Sequence, residues 1–372
     1  MTPPADVHPM KWAEVDLGAL RRNLAAVRDA VGDGPQIMAM VKAQAYGHGG
    51  VPAARALLDG GATWLGVALP GEALELRRAG IDAPILVVGA SPPEAHQAMI
   101  EAGVDVTVSD AAGLDPMIAA AGRAARRARV QLKLETGMHR QGIPPAALPE
   151  VLARLGANLR HLELTGVFTH LADADGADPA HAEEQHARFL PAVAQVAALA
   201  PEALAHCASS AAALRFPHMR HRLVRPGIAL YGYAPANCPP VALRPAMTVR
   251  ALVTHVHTVP RGEYVGYGCT WRAERDTPVA TVAAGYADGV QRAQSNRGTV
   301  VLGGTRCPIV GRVSMDQVTV DVSALGSVSP GDVATLVGPG IPADDVAAAG
   351  GTISYEVLCA VSGRVPRRFV ES

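Results

Sequence analysis

Residues 35–50 read PQIMAMVKAQAYGHGG. An apolar run, PQIMAM, gives way at Lys42 to a glycine-rich turn, with Tyr46 four residues further on. A short apolar run bounded by turn residues is the pattern of a buried strand. Taken alone, the lysine at its end is a solvated strand-end charge. Repetition of the same texture along the chain opens a second reading. Runs at 37–43, 63–69, 84–90, 104–110, 130–136, 164–172, 204–210 and 221–232 are short, apolar and β-rich. Alanine- and leucine-rich helical segments separate them, the clearest being EEQHARFLPAVAQVAALA at 183–200. Near-continuous apolar strands alternating with helices predict parallel pairing with both faces buried. Eight such strands suggest a (β/α)8 barrel of the TIM type. An open, doubly wound sheet is the alternative, because a strand count does not prove closure. A helix in VDLGALRRNLAAVRDAVG (15–32) is expected to take the outer position next to the last strand.

After about residue 240 the texture changes. AMTVRALVTHVHTV, TPVATVAAGYA, GTVVLGG, CPIVGRV, DQVTVDVS and DVATLVG are valine- and threonine-rich, often alternating, and punctuated by Gly and Pro. This predicts a mostly β second domain, with a closing helix near ISYEVLCAVSG (353–363). The expected division is 1–240 for the barrel with its N-terminal helix and 241–372 for the β-rich domain. PANCPPVALRPA (235–246) reads as the connector.

The 372 residues suffice for two domains. A formal net charge of -1 argues against nucleic acid or an anionic membrane surface as partner. The five cysteines are scattered, with no CxxC spacing, which argues against a disulfide framework or a structural zinc site and suits a reducing cytoplasm, and no metal is expected. The start, MTPPADVHPMKWAEVDLG, is acidic and broken by prolines, and does not read as a leader. No apolar stretch has the length of a membrane span.

In a barrel, function collects on the loops after the carboxyl ends of the strands. Those positions here carry Lys42 and Tyr46, then Lys133 and Arg140, then His170. Ser209 and Ser210 follow the seventh strand, and Arg225, Gly227 and Ile228 lie in the eighth segment. An amine, two guanidiniums and a set of phosphate-binding groups converge on one face. A lysine amine forms a Schiff base with an aldehyde cofactor. Hydroxyls and backbone N–H groups after the late strands make a phosphate cradle. The combination suggests pyridoxal phosphate.

The chain is also similar to a known family, the alanine racemases. VKAQAYGHGG looks like that family's cofactor-lysine motif. LKLETGMHRQGI, GVFTHLADAD, VRPGIALYGY, GYGCTW, GYADG, VGRVSMDQ and TISYEVLCAVSGRVPR match in the family's order, from about residue 12 to the C-terminus. The resemblance implies a barrel plus a β domain, a pyridoxal phosphate cofactor and a homodimer with active sites shared between subunits. It implies that Lys42 carries the cofactor and acts as base on one face of the amino-acid substrate. Tyr267, from the partner subunit, is then the base on the opposite face. His170 contacts that tyrosine, and Arg225 contacts both His170 and the cofactor ring nitrogen. Tyr46, Ser210, Gly227, Ile228 and Tyr355 hold the phosphate. Arg140 and the backbone N–H of Met315 receive the substrate carboxylate. Lys133 matches a carbamylated lysine, and Tyr286, Asp175 and Arg312 line the substrate entrance.

Three positions depart from the family pattern. Gln44 stands where Asp or Asn is commoner, Ser209-Ser210 where Asn-Ser is common, and Ser314 where a cysteine precedes Met315. The last leaves a racemase with serine or broader specificity open. A pyridoxal-phosphate-dependent decarboxylase is expected to carry an acid at the ring nitrogen, where this chain has Arg225. A carrier module is expected to be the barrel alone. If the product is D-alanine, the expected use is supply of peptidoglycan precursors.

Overall fold

The computed structural model describes residues 9–372. The reading of the first eight residues as a start without a leader lies outside that range. The chain divides into two compact units, Leu20–Ala45 with Gly50–Arg244, and Pro245–Ser372 with Tyr46–Gly49 and the described residues up to Ala19.

The first strand, β1 (Lys11–Asp16), belongs to the second of these units. The sequence had placed this stretch with the barrel. The reason is its ladder: β1 pairs with Met247–Val259 and Arg367–Val370, both in that unit. The helix Leu17–Val31 follows at once and buries Leu20, Leu24, Val27 and Val31. That i, i+4, i+7 spacing is one helical face. The buried Asn23 fixes the helix, donating to the carbonyls of Leu230 and Arg244 at 3.0 and 2.8 Å and accepting from the Arg244 N–H at 2.8 Å. The helix therefore lies against the chain that follows the last barrel strand, as expected.

Eight parallel strands follow: β2 (Gln36–Met40), β3 (Trp64–Val67), β4 (Ile85–Val87), β5 (Asp105–Val108), β6 (Ala128–Lys133), β7 (Leu162–Phe168), β8 (Leu204–His206) and β9 (Leu223–Val224). They pair in the order β8-β7-β6-β5-β4-β3-β2-β9. A parallel bridge between Ser209 and Arg225, with the Arg225 N–H donating to the Ala208 carbonyl at 2.8 Å, joins the two ends. That bridge decides for a closed barrel over an open sheet. Each sequence-predicted run overlaps one of these strands. Their apolar residues are almost wholly buried, Leu65, Ile85, Leu86, Val106, Val130 and Leu132 among them at 0 % exposure. Truncating one such leucine to alanine costs about 2–5 kcal/mol.

The second unit is mostly β. Its strands are β10 (Met247–Val259), β11 (Tyr264–Val265), β12 (Trp271–Arg272), β13 (Thr277–Val282), β14 (Thr299–Leu302), β15 (Thr305–Pro308), β16 (Val318–Asp321), β17 (Val333–Val337) and β18 (Arg367–Val370). The 13-residue β10 organises them, pairing antiparallel with β1, β13 and β17. Its first half alternates buried and part-exposed residues, which is how a strand covers a core on one side. β18 adds to β1 in parallel. The expected closing helix is Ser354–Cys359. Among the described residues no helix is long and apolar enough to cross a membrane.

Candidate active site

Lys42 stands just beyond the carboxyl end of β2. The next four residues, Ala43, Gln44, Ala45 and Tyr46, all have φ of 52–53°. This is a left-handed turn made of non-glycine residues, at about 1–2 kcal/mol per residue. Several bonds hold it. The Ala43 N–H donates to Glu72 at 2.6 Å, and the Ala45 N–H to the Val41 carbonyl at 2.8 Å. The Gln44 side chain accepts from the Gly50 N–H and donates to Glu75, both at 2.9 Å. Gln44, the departure without an evident role in the sequence, is thus a clamp on the turn that follows the lysine. Gly47 closes the turn at φ +81°, where a Cβ would lie 2.2 Å from the Leu358 carbonyl oxygen. No side chain fits there.

Arg225 lies just past β9 and is 4 % exposed. Its Nη1 donates to His206 Nδ1 at 2.7 Å. Its Nη2 donates to the Thr169 and Cys207 carbonyls at 2.8 and 3.2 Å and to His170 Nδ1 at 3.2 Å. The Nε–H takes no partner among the described residues. Arginine has no acceptor atom, so both imidazoles must accept through Nδ1. Both are neutral: burial and then the Arg225 charge hold His170 and His206 well below the usual histidine range. Each therefore carries its proton on Nε2. His206 passes it to Gln131 Oε1 at 2.8 Å, and Gln131 donates to Asp105 Oδ2 at 3.1 Å. Arg129 and the Thr165 hydroxyl complete the Asp105 carboxylate at 2.7 and 2.5 Å. Burial lowers Arg225 itself only to about 10, so it remains a cation at neutral pH.

Sequence reasoning missed His206, Gln131 and Asp105. Their signal was present as polar residues inside otherwise apolar strand runs, which a buried strand accepts only when they are hydrogen-bonded.

Lys133 ends β6 and is 4 % exposed. Its amine forms no hydrogen bond or ion pair among the described residues, and Nζ lies 5.7 Å from the centre of the Phe168 ring. Burial, then the charges of Arg140 and Arg225, lower its amine to about 8. Arg140 is exposed and is brought beside it by a loop that folds back. The Ile143 N–H donates to the Lys133 carbonyl at 2.7 Å, and the Glu135 N–H to the Ile143 carbonyl at 3.0 Å. At the late-strand end, the Ser210 hydroxyl accepts from the Gly227 and Ala229 N–H groups at 2.8 and 3.4 Å. Ile228, between them, opens a short 3₁₀ turn. The barrel unit thus gathers Lys42, Lys133, Arg140, His170 and Arg225, with Ser210, Gly227 and Ile228 forming a second group. Asp175 is exposed in the loop after β7, its carbonyl accepting from Asn237 at 2.7 Å, and it makes no contact with these groups.

The remaining predicted residues lie in the second unit. Tyr46 and Tyr355 pair with ring centres 6.1 Å apart. Burial, then Tyr355 and Cys359, push the Tyr46 phenol well above the usual tyrosine range, so its proton stays on. Tyr267 is 73 % exposed. Its turn lies against the Gly311–Arg312 backbone, and Asn296 ties the two, donating to the Thr270 hydroxyl at 3.2 Å and accepting from the Gly311 N–H at 2.7 Å. Tyr286 donates its N–H to the Ser314 carbonyl at 3.0 Å, and Ala287 to the Met315 carbonyl at 3.0 Å. A Cβ on Gly285 would lie 2.3 Å from the Ser314 carbonyl oxygen, so only glycine permits that approach. Tyr267, Arg312, Met315 and Tyr286 therefore sit on one set of interlocked exposed loops.

Two family models match this chain: the alanine racemase N-terminal domain over residues 15–235 and the alanine racemase C-terminal domain over 246–369. The chain belongs to the alanine racemase family. The alanine racemase of Desulfovibrio desulfuricans is 41 % identical over 364 residues, covering 97 % of this chain and 98 % of that one. The alanine racemase structure from Streptomyces lavendulae aligns at a TM-score of 0.93 with 39 % identity, covering 99 and 98 % of the two chains. That from Bartonella henselae, described with covalently bound pyridoxal phosphate, aligns at 0.89 with 28 % identity, covering 98 and 100 %. Alanine racemases are isomerases acting on amino acids, and the barrel followed by a mostly β unit seen here is their architecture.

Proposed function

We propose that this chain interconverts L- and D-alanine with pyridoxal phosphate, using Lys42 and Tyr267 as opposed bases in a homodimer. The observation that carries the proposal is the pairing of a buried, cationic Arg225 with two neutral imidazoles around the barrel end that holds Lys42.

The residues fit the cofactor. Arg225 keeps its Nε–H for a neutral ring nitrogen. Ser210 gathers two backbone N–H groups beside Ile228, and the Tyr46 phenol is a donor that retains its proton. Lys42 would hold the group covalently, and Tyr46, Ser210, Gly227, Ile228 and Tyr355 would hold its phosphate. When bound, the cofactor withdraws electron density from the substrate Cα and acidifies its hydrogen.

The chain's own groups then move the proton. Lys42 Nζ takes or returns it on one face of Cα, and Tyr267 Oη of the second chain does so on the other. Racemisation requires this opposition, since one base must deliver from behind what the other removed. His170 offers its Nε2–H because Arg225 occupies Nδ1. A hydrogen bond from that N–H to Tyr267 Oη favours the deprotonated phenol. Arg140 and the Met315 N–H receive the substrate carboxylate. Lys133, buried with no carboxylate in ion-pair contact and with its amine lowered to about 8, is suited to carbamylation by carbon dioxide, and the resulting anion would orient Arg140. Tyr286, Asp175 and Arg312 flank the entrance.

Ser314 does not favour serine as substrate. Its hydroxyl already donates to the Gln317 carbonyl at 2.7 Å within its own turn. Arg225 at the cofactor ring speaks against a decarboxylase. The free cysteines accord with a cytoplasmic enzyme that supplies D-alanine for peptidoglycan. The test is racemisation by the purified, cofactor-loaded protein over a panel of L-amino acids. The same D/L ratio should be reached from L- and D-alanine, with serine much slower. Preference for serine, or no racemisation, would overturn the reading.

A further inference from the structure

Away from Lys42 and its neighbours, two triads of metal-ligating side chains share His186, one with Glu183 and His218 and one with Cys207 and His221, and the racemase reading uses none of them. Glu183 and His186 lie three residues apart on the helix Ala180–Leu199, so they share one face. His218 and His221 have the same spacing on the segment that leads into β9. His186 Nε2 and His221 Nε2 are 3.0 Å apart, and His218 Nε2 is 3.0 Å from Glu183 Oε2. The donor atoms of Glu183, His186 and His218 all fall within 4.8 Å of one another. His221 adopts φ +49°, a left-handed conformation that a histidine pays for in strain.

We propose that Glu183, His186, His218 and His221 form a binding site for a borderline divalent transition ion of the zinc class. Three imidazoles and one carboxylate are a donor set suited to such an ion. Tetrahedral ligands on zinc stand about 3.4 Å from one another, and Glu183 and His218, both exposed, have room to rotate toward that separation. Buried beside them, Cys207 belongs to an overlapping cluster with His186 and His221. Its thiol is already engaged, donating to the Met219 carbonyl at 3.1 Å, which leaves it out of the ligand set. The ion would staple the long helix to the segment that precedes β9 and Arg225.

The test is equilibrium dialysis of the cofactor-loaded enzyme against zinc chloride, with thermal melts at each concentration and Co2+ substitution for visible spectra. The expected result is one Zn2+ per chain, a raised Tm, and tetrahedral d–d bands with Co2+. Uptake and the Tm rise should be lost in His186→Gln and in the exposed-site variant His218→Ala, and retained in Cys207→Ser. His218→Ala keeps the test valid if His186→Gln fails to fold, and its racemase activity without added metal should equal that of the parent. Substoichiometric uptake, retention of uptake in His218→Ala, or its loss in Cys207→Ser would overturn the proposal.

Discussion

Arg225 is 4 % exposed and donates four hydrogen bonds to groups of its own unit, whereas Tyr267 is 73 % exposed on a turn where Gly266, Gly268 and Cys269 all have positive φ. One region fixes its chemistry by burial. Neutral imidazoles, a single orientation of their protons and a chain of bonds down to Asp105 follow from excluding water. The other holds its backbone in place through Asn296 and Gly285 but leaves the reactive side chain in solvent. A base works among groups that position it, and the Tyr267 side chain stands largely in solvent. The comparison therefore favours a site completed by a second copy of the chain.

The largest effect that tests this contrast is expected at Lys42. Lys42→Ala should lower racemisation by more than about 10⁴-fold, since both anchor and base are removed. Melting should show the fold retained, and a mass spectrum should show no covalent cofactor after borohydride. Tyr267→Phe should cost about 10²–10⁴-fold while leaving Tm unchanged, because its side chain is exposed. Full activity in that variant would end the two-base scheme.

Within the buried region, His206→Leu removes the Nδ1 acceptor and leaves the Arg225 Nη1 without its partner. A loss of about 1.5–3 kcal/mol in urea unfolding is expected. His206→Asn, which can accept, should recover part of it. Acid is a milder probe of the same network. His170, His206 and His221 are neutral in the fold, but unfolded histidines take up protons near pH ~6.5. The unfolded state therefore binds more protons below that pH, and stability should fall from about pH 6.5 toward 4. A Tm that stayed flat over that window would mean the imidazoles are not held neutral. The smallest effect is expected at Gln44→Ala, which loses two hydrogen bonds on a surface turn. A cost of about 1 kcal/mol, with a modest loss of cofactor affinity, would confirm the clamp.

Much of this was legible before any coordinates. The eight barrel strands announced themselves because a strand buried on both faces must be apolar throughout, as ILV and WLGV are. Lys42, Arg225 and Ser210 were found by their place at strand ends. β1 was not, because KWAEVD is polar enough to read as a lead-in to the helix, and its partners lie more than 200 residues away in β10 and β18. The left-handed run from Ala43 to Tyr46 has no signature either. Alanine and glutamine favour right-handed helix, and only the tertiary bonds from Glu72, Glu75 and Gly50 override that preference. His206, Gln131 and Asp105 each look like an isolated polar residue in sequence. They become a network only when β5, β6 and β8 are side by side.

The shared site is tested most directly by mixing two inactive variants, Lys42→Ala and Tyr267→Phe, and allowing subunits to exchange. In a mixed dimer with shared sites, one site carries both substitutions and the other carries neither. Random exchange should then restore about a quarter of the parent activity, since half the dimers are mixed and half of their sites are intact. If Lys42 and Tyr267 of the same chain served one site, every site in the mixture would lack one base, and activity would stay at the level of the separate variants.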